Sequence, residues 1–358
     1  MLTRPILTAT VLVLAGGQAG AADWPAFRGP TGNGVAPAGE YPTTWSDQES
    51  IRWKVAMAAP GNGSPIVARG RVFLTVAEDE GRKRSLLCFD RGTGKELWTR
   101  TVLFDKVMPT HKTNPHGSST PASDGTRVVV WHASAGLFCY DLDGNELWSR
   151  NLGEFRHMWG YGTSPVIDRD RVIMHCGPGE RVFLTALRLE TGETLWETPE
   201  PLEGDGEKRA KDGAYMGSWT TPVIVQVDGK DQIICTLPTR VNGYDPQTGE
   251  LIWSCDGIRG ERGDLAYSSP LIHDGLCVSI GGYNGPSIGF RLGGRGNITE
   301  SNRLWRVDQN PQSIGTGVFV GRHVYRANAG PGTIECVEAE TGKVLWSDRA
   351  AGGNHWGS

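Results

Sequence analysis

The chain of 358 residues is short of almost every feature that announces a chemistry. It has seven cysteines but no C-x-x-C, no C-x-x-C-H haem attachment site and no adjacent Cys pair, so the usual zinc, redox and c-type haem arrangements are absent. The formal net charge of -4 is small and Lys and Arg are scattered, which leaves no basic stripe for nucleic acid. No stretch keeps a 3.6-residue apolar period, which excludes a helical solenoid. There is no nucleophile elbow, and the cluster Gly293-Gly294-Arg295-Gly296 lacks the strand-to-helix setting that phosphate cradling needs. The apolar run from Ile6 to Ala15 is too short to span a bilayer.

That run has another reading. Arg4 precedes it and Ala19-Gly20-Ala21 follows, the layout of a secretory signal peptide with an A-x-A site, so residues 1–22 are expected to be removed near Ala22 or Asp23. No Cys precedes Cys88, so the junction offers no lipidation site. An exported chain without a transmembrane span in its mature part, periplasmic or extracellular, is the expectation. Residues 23–50 then form an N-terminal extension and 51–358 the folded domain.

What the chain has in quantity is repetition. The block Cys88-Phe89-Asp90-Arg91-Gly92-Thr93-Gly94-Lys95-Glu96-Leu97-Trp98 returns as Ala186 to Trp196, Gly243 to Trp253 and Cys336 to Trp346, and in a shorter form ending at Trp148. A Ser/Thr-Pro pair opens each unit: Ser64-Pro65, Thr120-Pro121, Ser164-Pro165, Thr221-Pro222 and Ser269-Pro270. Trp53, Trp98, Trp148, Trp196, Trp253, Trp305 and Trp346 are 45, 50, 48, 57, 52 and 41 residues apart, the period of a four-stranded propeller blade. In residues 64–98, Pro65 opens an inner strand at a place where no ladder donor is needed. Ala68-Arg69-Gly70 turns into a second strand, Leu86 to Phe89 form a third, and Asp90 to Gly94 make a turn in which Gly94 takes positive φ. The repeated Trp reads as packing between blades. The fold class is all-β, a propeller of four-stranded blades with about six traceable here.

Phase sets an expectation for the ends. Ile51-Arg52-Trp53-Lys54 carries an outer-strand signature without a unit before it, and His355-Trp356-Gly357-Ser358 resembles the start of the next unit. The chain therefore reads as cut in mid-repeat, with the ring left open by a missing C-terminus.

The repeat resembles the tryptophan-docking repeat of the pyrroloquinoline-quinone (PQQ) type propellers, a group that includes quinoprotein dehydrogenases and the outer-membrane assembly factor BamB. The opening Asp23-Trp24-Pro25-Ala26-Phe27-Arg28-Gly29-Pro30-Thr31-Gly32-Asn33-Gly34 is similar to that of secreted bacterial PQQ-like repeat proteins. The resemblance implies eight blades when complete. It also implies two lines of function, assembly scaffold or PQQ-dependent dehydrogenase with Ca²⁺. The paired Cys that the dehydrogenases place beside the quinone is absent, and no set of Ca²⁺ ligands is recognisable.

Candidate site residues follow from propeller geometry. Residues just before each Ser/Thr-Pro pair sit beside the axis, and these are Asn62, His116, Tyr161, Trp219 and Tyr267, with Trp356 in the unfinished unit. His111, Asn114 and Trp159 join them from the long loops of the same face. Two readings stand side by side: a polar and aromatic binding mouth, or side chains that fill the funnel and cap its loops. The His cluster His111, His116 and His157 matches no closed metal site, so no metal is expected, nor any confidently assigned cofactor. Cys88, Cys139 and Cys336 hold a small-residue packing position, while Cys176, Cys235, Cys255 and Cys277 have room for one disulfide. The expected function is a non-catalytic binding or assembly scaffold for an exported or cell-envelope protein. A quinoprotein, or a binder of a small polar ligand or sugar, is the alternative.

Overall fold

A computed structural model describes residues 22–179, 181–200, 216–260, 264–282, 284–330 and 332–349, with 353, 355 and 357. The expected signal peptide and Trp356 lie outside these residues. The described chain forms six four-stranded antiparallel sheets, here blades 1 to 6, each laid out in sequence order from the innermost strand outward. Blade 1 holds Ile66–Ala68, Arg71–Glu78, Lys83–Asp90 and Glu96–Leu103. Blade 2 holds Ala122–Ser123, Arg127–Trp131, Leu137–Asp141 and Glu146–Arg150, and blade 3 holds Val166–Asp168, Arg171–Cys176, Phe183–Arg188 and Thr194–Pro199. Blade 4 holds Val223–Val227, Lys230–Thr236, Arg240–Tyr244 and Leu251–Asp256, with the short Gly296–Asn297 added in parallel at its outer edge. Blades 5 and 6 run from Leu271–His273 to Arg303–Val307 and from Val318–Val320 to Val344–Arg349.

The apolar core lies in the seams between blades. Five clusters join successive pairs, as where Ile66, Phe73 and Cys88 of blade 1 meet Val128, Val130 and Tyr140 of blade 2. The other seams, from blades 2 and 3 to blades 5 and 6, are built alike. Each sheet buries its faces only against its neighbours, as stacked repeat units must.

The repeated Trp makes those seams specific. Trp98 donates its indole N–H to the Leu142 carbonyl at 2.9 Å, Trp148 to Leu189 at 2.8 Å, Trp196 to Pro246 at 3.1 Å and Trp305 to Ala339 at 2.8 Å. Each acceptor belongs to the turn between strands three and four of the next blade. The turn glycine is required there twice over. Gly192 has φ +69°, and a Cβ on it would lie 2.6 Å from the Trp148 ring. Gly94, Gly144, Gly249 and Gly342 meet Trp53, Trp98, Trp196 and Trp305 in the same way. Opposite each Trp stands a small residue of strand three: Cys88, Cys139, Ala186, Gly243, Gly289 and Cys336, each followed by a β-bulge.

Four expectations need correction or extension. Trp253 gives its N–H to Gln232 of its own blade, because blade 5 lacks the Asp-x-x-Thr-Gly turn that would receive it. Residues 51–54 form no strand, although Trp53 still docks on the Arg91 carbonyl at 2.9 Å. All seven cysteines are free and buried, so the room left for a disulfide is not used. Trp346 is 46% exposed and meets Tyr325 of its own blade, and no further sheet stands among the described residues to receive it.

Candidate functional site: the two ends of the propeller axis

The innermost strands run away from the Ser/Thr residues that open the units, so these residues mark a level on the axis. At that level the hydroxyls and amides form a belt. Ser64 N–H donates to Thr120 Oγ1 at 2.9 Å, Thr120 N–H to Ser164 Oγ at 3.0 Å, and Ser164 N–H to Thr221 Oγ1 at 3.1 Å. Thr221 N–H donates to Ser269 Oγ at 3.0 Å, and Ser269 N–H to Thr316 Oγ1 at 3.2 Å. Ser or Thr is therefore demanded because its side chain pairs a buried amide of the preceding blade. Thr316, followed by Gly317 rather than Pro, completes the series in blade 6.

The loop face lies on one side of the belt and gathers most of the expected rim. Asn62 donates to the Thr113 carbonyl and to Asn114 Oδ1 at 2.9 and 3.4 Å. Asn114 in turn donates to the Trp159 and Tyr161 carbonyls at 2.7 and 2.9 Å, and accepts from Ser118 Oγ at 2.6 Å. The Tyr161 hydroxyl donates to the His116 carbonyl. His111 packs on Trp159 with ring centres 4.6 Å apart. Trp219 donates to the Gly160 carbonyl at 3.0 Å and lies 5.0 Å from the Tyr267 ring.

Burial divides these residues. His116, Tyr161 and Trp219 are buried and act as filler, whereas Asn62, His111, Asn114, Trp159 and Tyr267 reach the surface. Burial, helped by the charge of Arg84, lowers His116 to about 4, so it is neutral near pH 7. Beneath the rim lies Arg84, itself buried, its guanidinium bound to the Gly81 and His132 carbonyls and set against the Phe104 and Tyr161 rings. Of the loop acids, Glu154 pairs with Lys106 and so ties two neighbouring loops together.

Sequence reasoning missed the other end. Residues 23–34 do not trail outside the propeller but cross its axis on the side of the inner hairpin turns. Trp24 pairs with Val67 by two backbone bonds of 2.8 and 2.9 Å, and the Pro25 carbonyl accepts from Ser123 N–H at 2.8 Å. Buried Arg28 donates to the Gly32 and Asn33 carbonyls at 3.1 and 2.8 Å and to the Gly317 carbonyl of blade 6. The segment thus touches blades 1, 2 and 6, and it encloses a cavity of about 350 Å³ against blades 3 and 4. A tryptophan, an arginine and three glycines within twelve residues were the available signal.

Among the described residues, no group of three or more His, Cys, Asp or Glu is placed to hold a metal ion. The resemblance implied a quinone with Ca²⁺ at the rim. Asn114 spends its amide and its carbonyl oxygen within the rim and Tyr161 gives its hydroxyl to a backbone carbonyl, so these polar atoms hold one another and do not fit that group.

Blades in chain order, seams closed in all but one case by a docked Trp and a plugged axis define a tryptophan-docked β-propeller. The family model described as outer membrane protein assembly factor BamB matches residues 43–102 and 82–348, and the chain belongs to that family. Among solved structures, BamB from Moraxella catarrhalis is similar over 86% of this chain and 80% of its own, at 15% identity and a TM-score of 0.56. That likeness shows the fold. A quinohemoprotein alcohol dehydrogenase from Comamonas testosteroni covers 95% of this chain and 75% of its own at 13% identity, with a TM-score of 0.49. A europium-containing methanol dehydrogenase covers 85% and 81% at 12% identity and 0.47. No curated protein matches the chain. Among the described residues, no helix is long and apolar enough to cross a membrane.

Proposed function

We propose that the protein is a non-catalytic binding or assembly scaffold, exported to the cell envelope, that receives a protein partner on its loop face. The observation that carries this reading is the interlocking of the segments that lead into blades 1, 2 and 3. Asn62, Asn114, Tyr161 and the Lys106–Glu154 pair fix them to one another. On this braced platform Val107 and Met158 are 51% and 42% exposed, on the same loops as the packed His111 and Trp159 rings. Exposed apolar groups on a rigid, polar-rimmed surface suit protein recognition, because little ordering entropy is lost on binding. Membership of the BamB family supports a role of this kind.

The test compares the mature protein with its Val107→Asp/Met158→Asp variant, by quantitative cross-linking and mass spectrometry in an envelope fraction. A defined set of proteins held by the first and lost by the second, with unchanged melting, is expected. Equal capture by both overturns the reading. So does saturable one-to-one binding of PQQ with Ca²⁺, which moves the protein to the quinoprotein class.

A further inference from the structure

The cavity at the plugged end has the features of a ligand site and lies across the belt from the loop face, so it is independent of the scaffold reading. Its volume of about 350 Å³ falls in the range of small-molecule sites. Its apolar wall is made by Phe27 and Pro30 from the plug and Ile167, Val223 and Val225 from the innermost strands of blades 3 and 4.

Four charged side chains line it: Arg28, Asp168, Arg169 and Asp231. The charges are unevenly matched. Arg169 Nη2 bonds Asp231 directly, while its Nη1 stands 3.8 Å from Asp168 Oδ2, too far for a hydrogen bond. One guanidinium is thus shared by two carboxylates. Arg28 is tied through Nε and Nη2 to backbone carbonyls of the plug and of blade 6. Asp168 lines the cavity with its side chain 14% exposed, and its Oδ2 has no hydrogen-bond partner, only the shared Arg169 guanidinium 3.8 Å away. A part-exposed carboxylate that is short of donors is served best by a charged one.

We propose that this cavity binds a small organic ammonium ion, its cationic head on Asp168 and its apolar body against Phe27, Ile167 and Val223. The plug then acts as one wall of a binding site as well as a tie between blades.

The experiment uses the mature protein with phenethylammonium as the probe and 2-phenylethanol as its neutral counterpart of similar shape, followed by ligand-observed NMR and by thermal shift. The amine is expected to bind saturably and more tightly than the alcohol by about tenfold or more, the value of a charge-assisted bond. Asp168→Asn should remove that advantage, and Val107→Asp/Met158→Asp on the opposite face should leave it intact. Equal binding of amine and alcohol overturns the proposal on the wild-type protein alone, whatever the folding of the variant. So does absence of amine binding at millimolar concentration, or amine binding that Asp168→Asn leaves unchanged in a cooperatively melting protein.

Discussion

Trp148 and Trp346 hold the same place in the repeat and differ in one respect, which makes them a controlled pair. Trp148 is 6% exposed, donates to the Leu189 carbonyl of blade 3 and presses on Gly192, whereas Trp346 is 46% exposed and packs only on its own blade. Replacing Trp148 by Ala removes a buried aromatic, opens a cavity in the seam and leaves the Leu189 carbonyl unpaired, at a cost of about 3–5 kcal/mol. Trp346→Ala should cost about 1 kcal/mol or less, since half of its ring already faces water. Gly192→Ala attacks the same seam from the other side. The left-handed backbone costs an alanine about 1–2 kcal/mol. A Cβ at 2.6 Å from the Trp148 ring adds overpacking of about 1–3 kcal/mol. Urea unfolding followed by far-ultraviolet circular dichroism reads all three without depending on the fluorescence of the removed residue. The stated order is Trp148→Ala close to Gly192→Ala, and both far above Trp346→Ala. Equal midpoints for the two Trp variants would show that the Trp contributes through its own blade and not through docking.

Three further outcomes follow from the axis. Thr221→Val removes the acceptor of the buried Ser164 amide and should cost about 1–3 kcal/mol in urea unfolding, while Thr221→Ser keeps the hydroxyl and should be nearly neutral. Burial holds His132 at about 3 and His116 at about 4, below their ordinary 6.5, so the unfolded chain binds protons that the native one does not. Their contribution to stability is full above about pH 6.5 and falls away as the pH drops toward 4 and then 3; His132→Gln should flatten the pH dependence of the urea midpoint in that window. The thiols of Cys88, Cys139 and Cys255 are pushed up to about 12 by burial, so a thiol reagent should label the native protein slowly and find seven equivalents after denaturation.

The blades were legible because their signals are local. Within one unit the Ser/Thr-Pro pair, the Asp-x-x-Thr-Gly turn and the Trp lie close together, and each has a physical reason that a single window of sequence contains. The Asp90 side chain bonds the Thr93 amide and hydroxyl at 2.8 and 2.7 Å, and Gly94 has the positive φ that the turn requires. Blade 5 shows the limit. Its turn is degenerate, so the sequence pointed to Trp305 but not to Gly289 opposite it, and Trp253 loses the carbonyl that its counterparts find. The rim was partly legible: Asn62, Asn114, Tyr161 and Trp219 are linked through their loops, but whether His116 or Tyr161 lines a mouth or fills a wall depends on neighbours from two other loops.

The belt and the plug escaped for a common reason. The hydroxyl that pairs each belt amide comes from a residue 44 to 57 positions later in the chain, so the sequence displays the proline beside it and hides the acceptor. Arg28 reaches Gly317 across 289 residues, a contact that no repeat pattern contains because it occurs once. Periodicity reports what every blade shares, and what every blade shares is what holds the blades together. Asp168 illustrates the converse: it ends the innermost strand of blade 3, where blades 1 and 2 have Ala68 and Ser123. A charge at one such position and not at the others does nothing for the repeat, and it is at departures of this kind from the common pattern that a propeller acquires a specific ligand or partner.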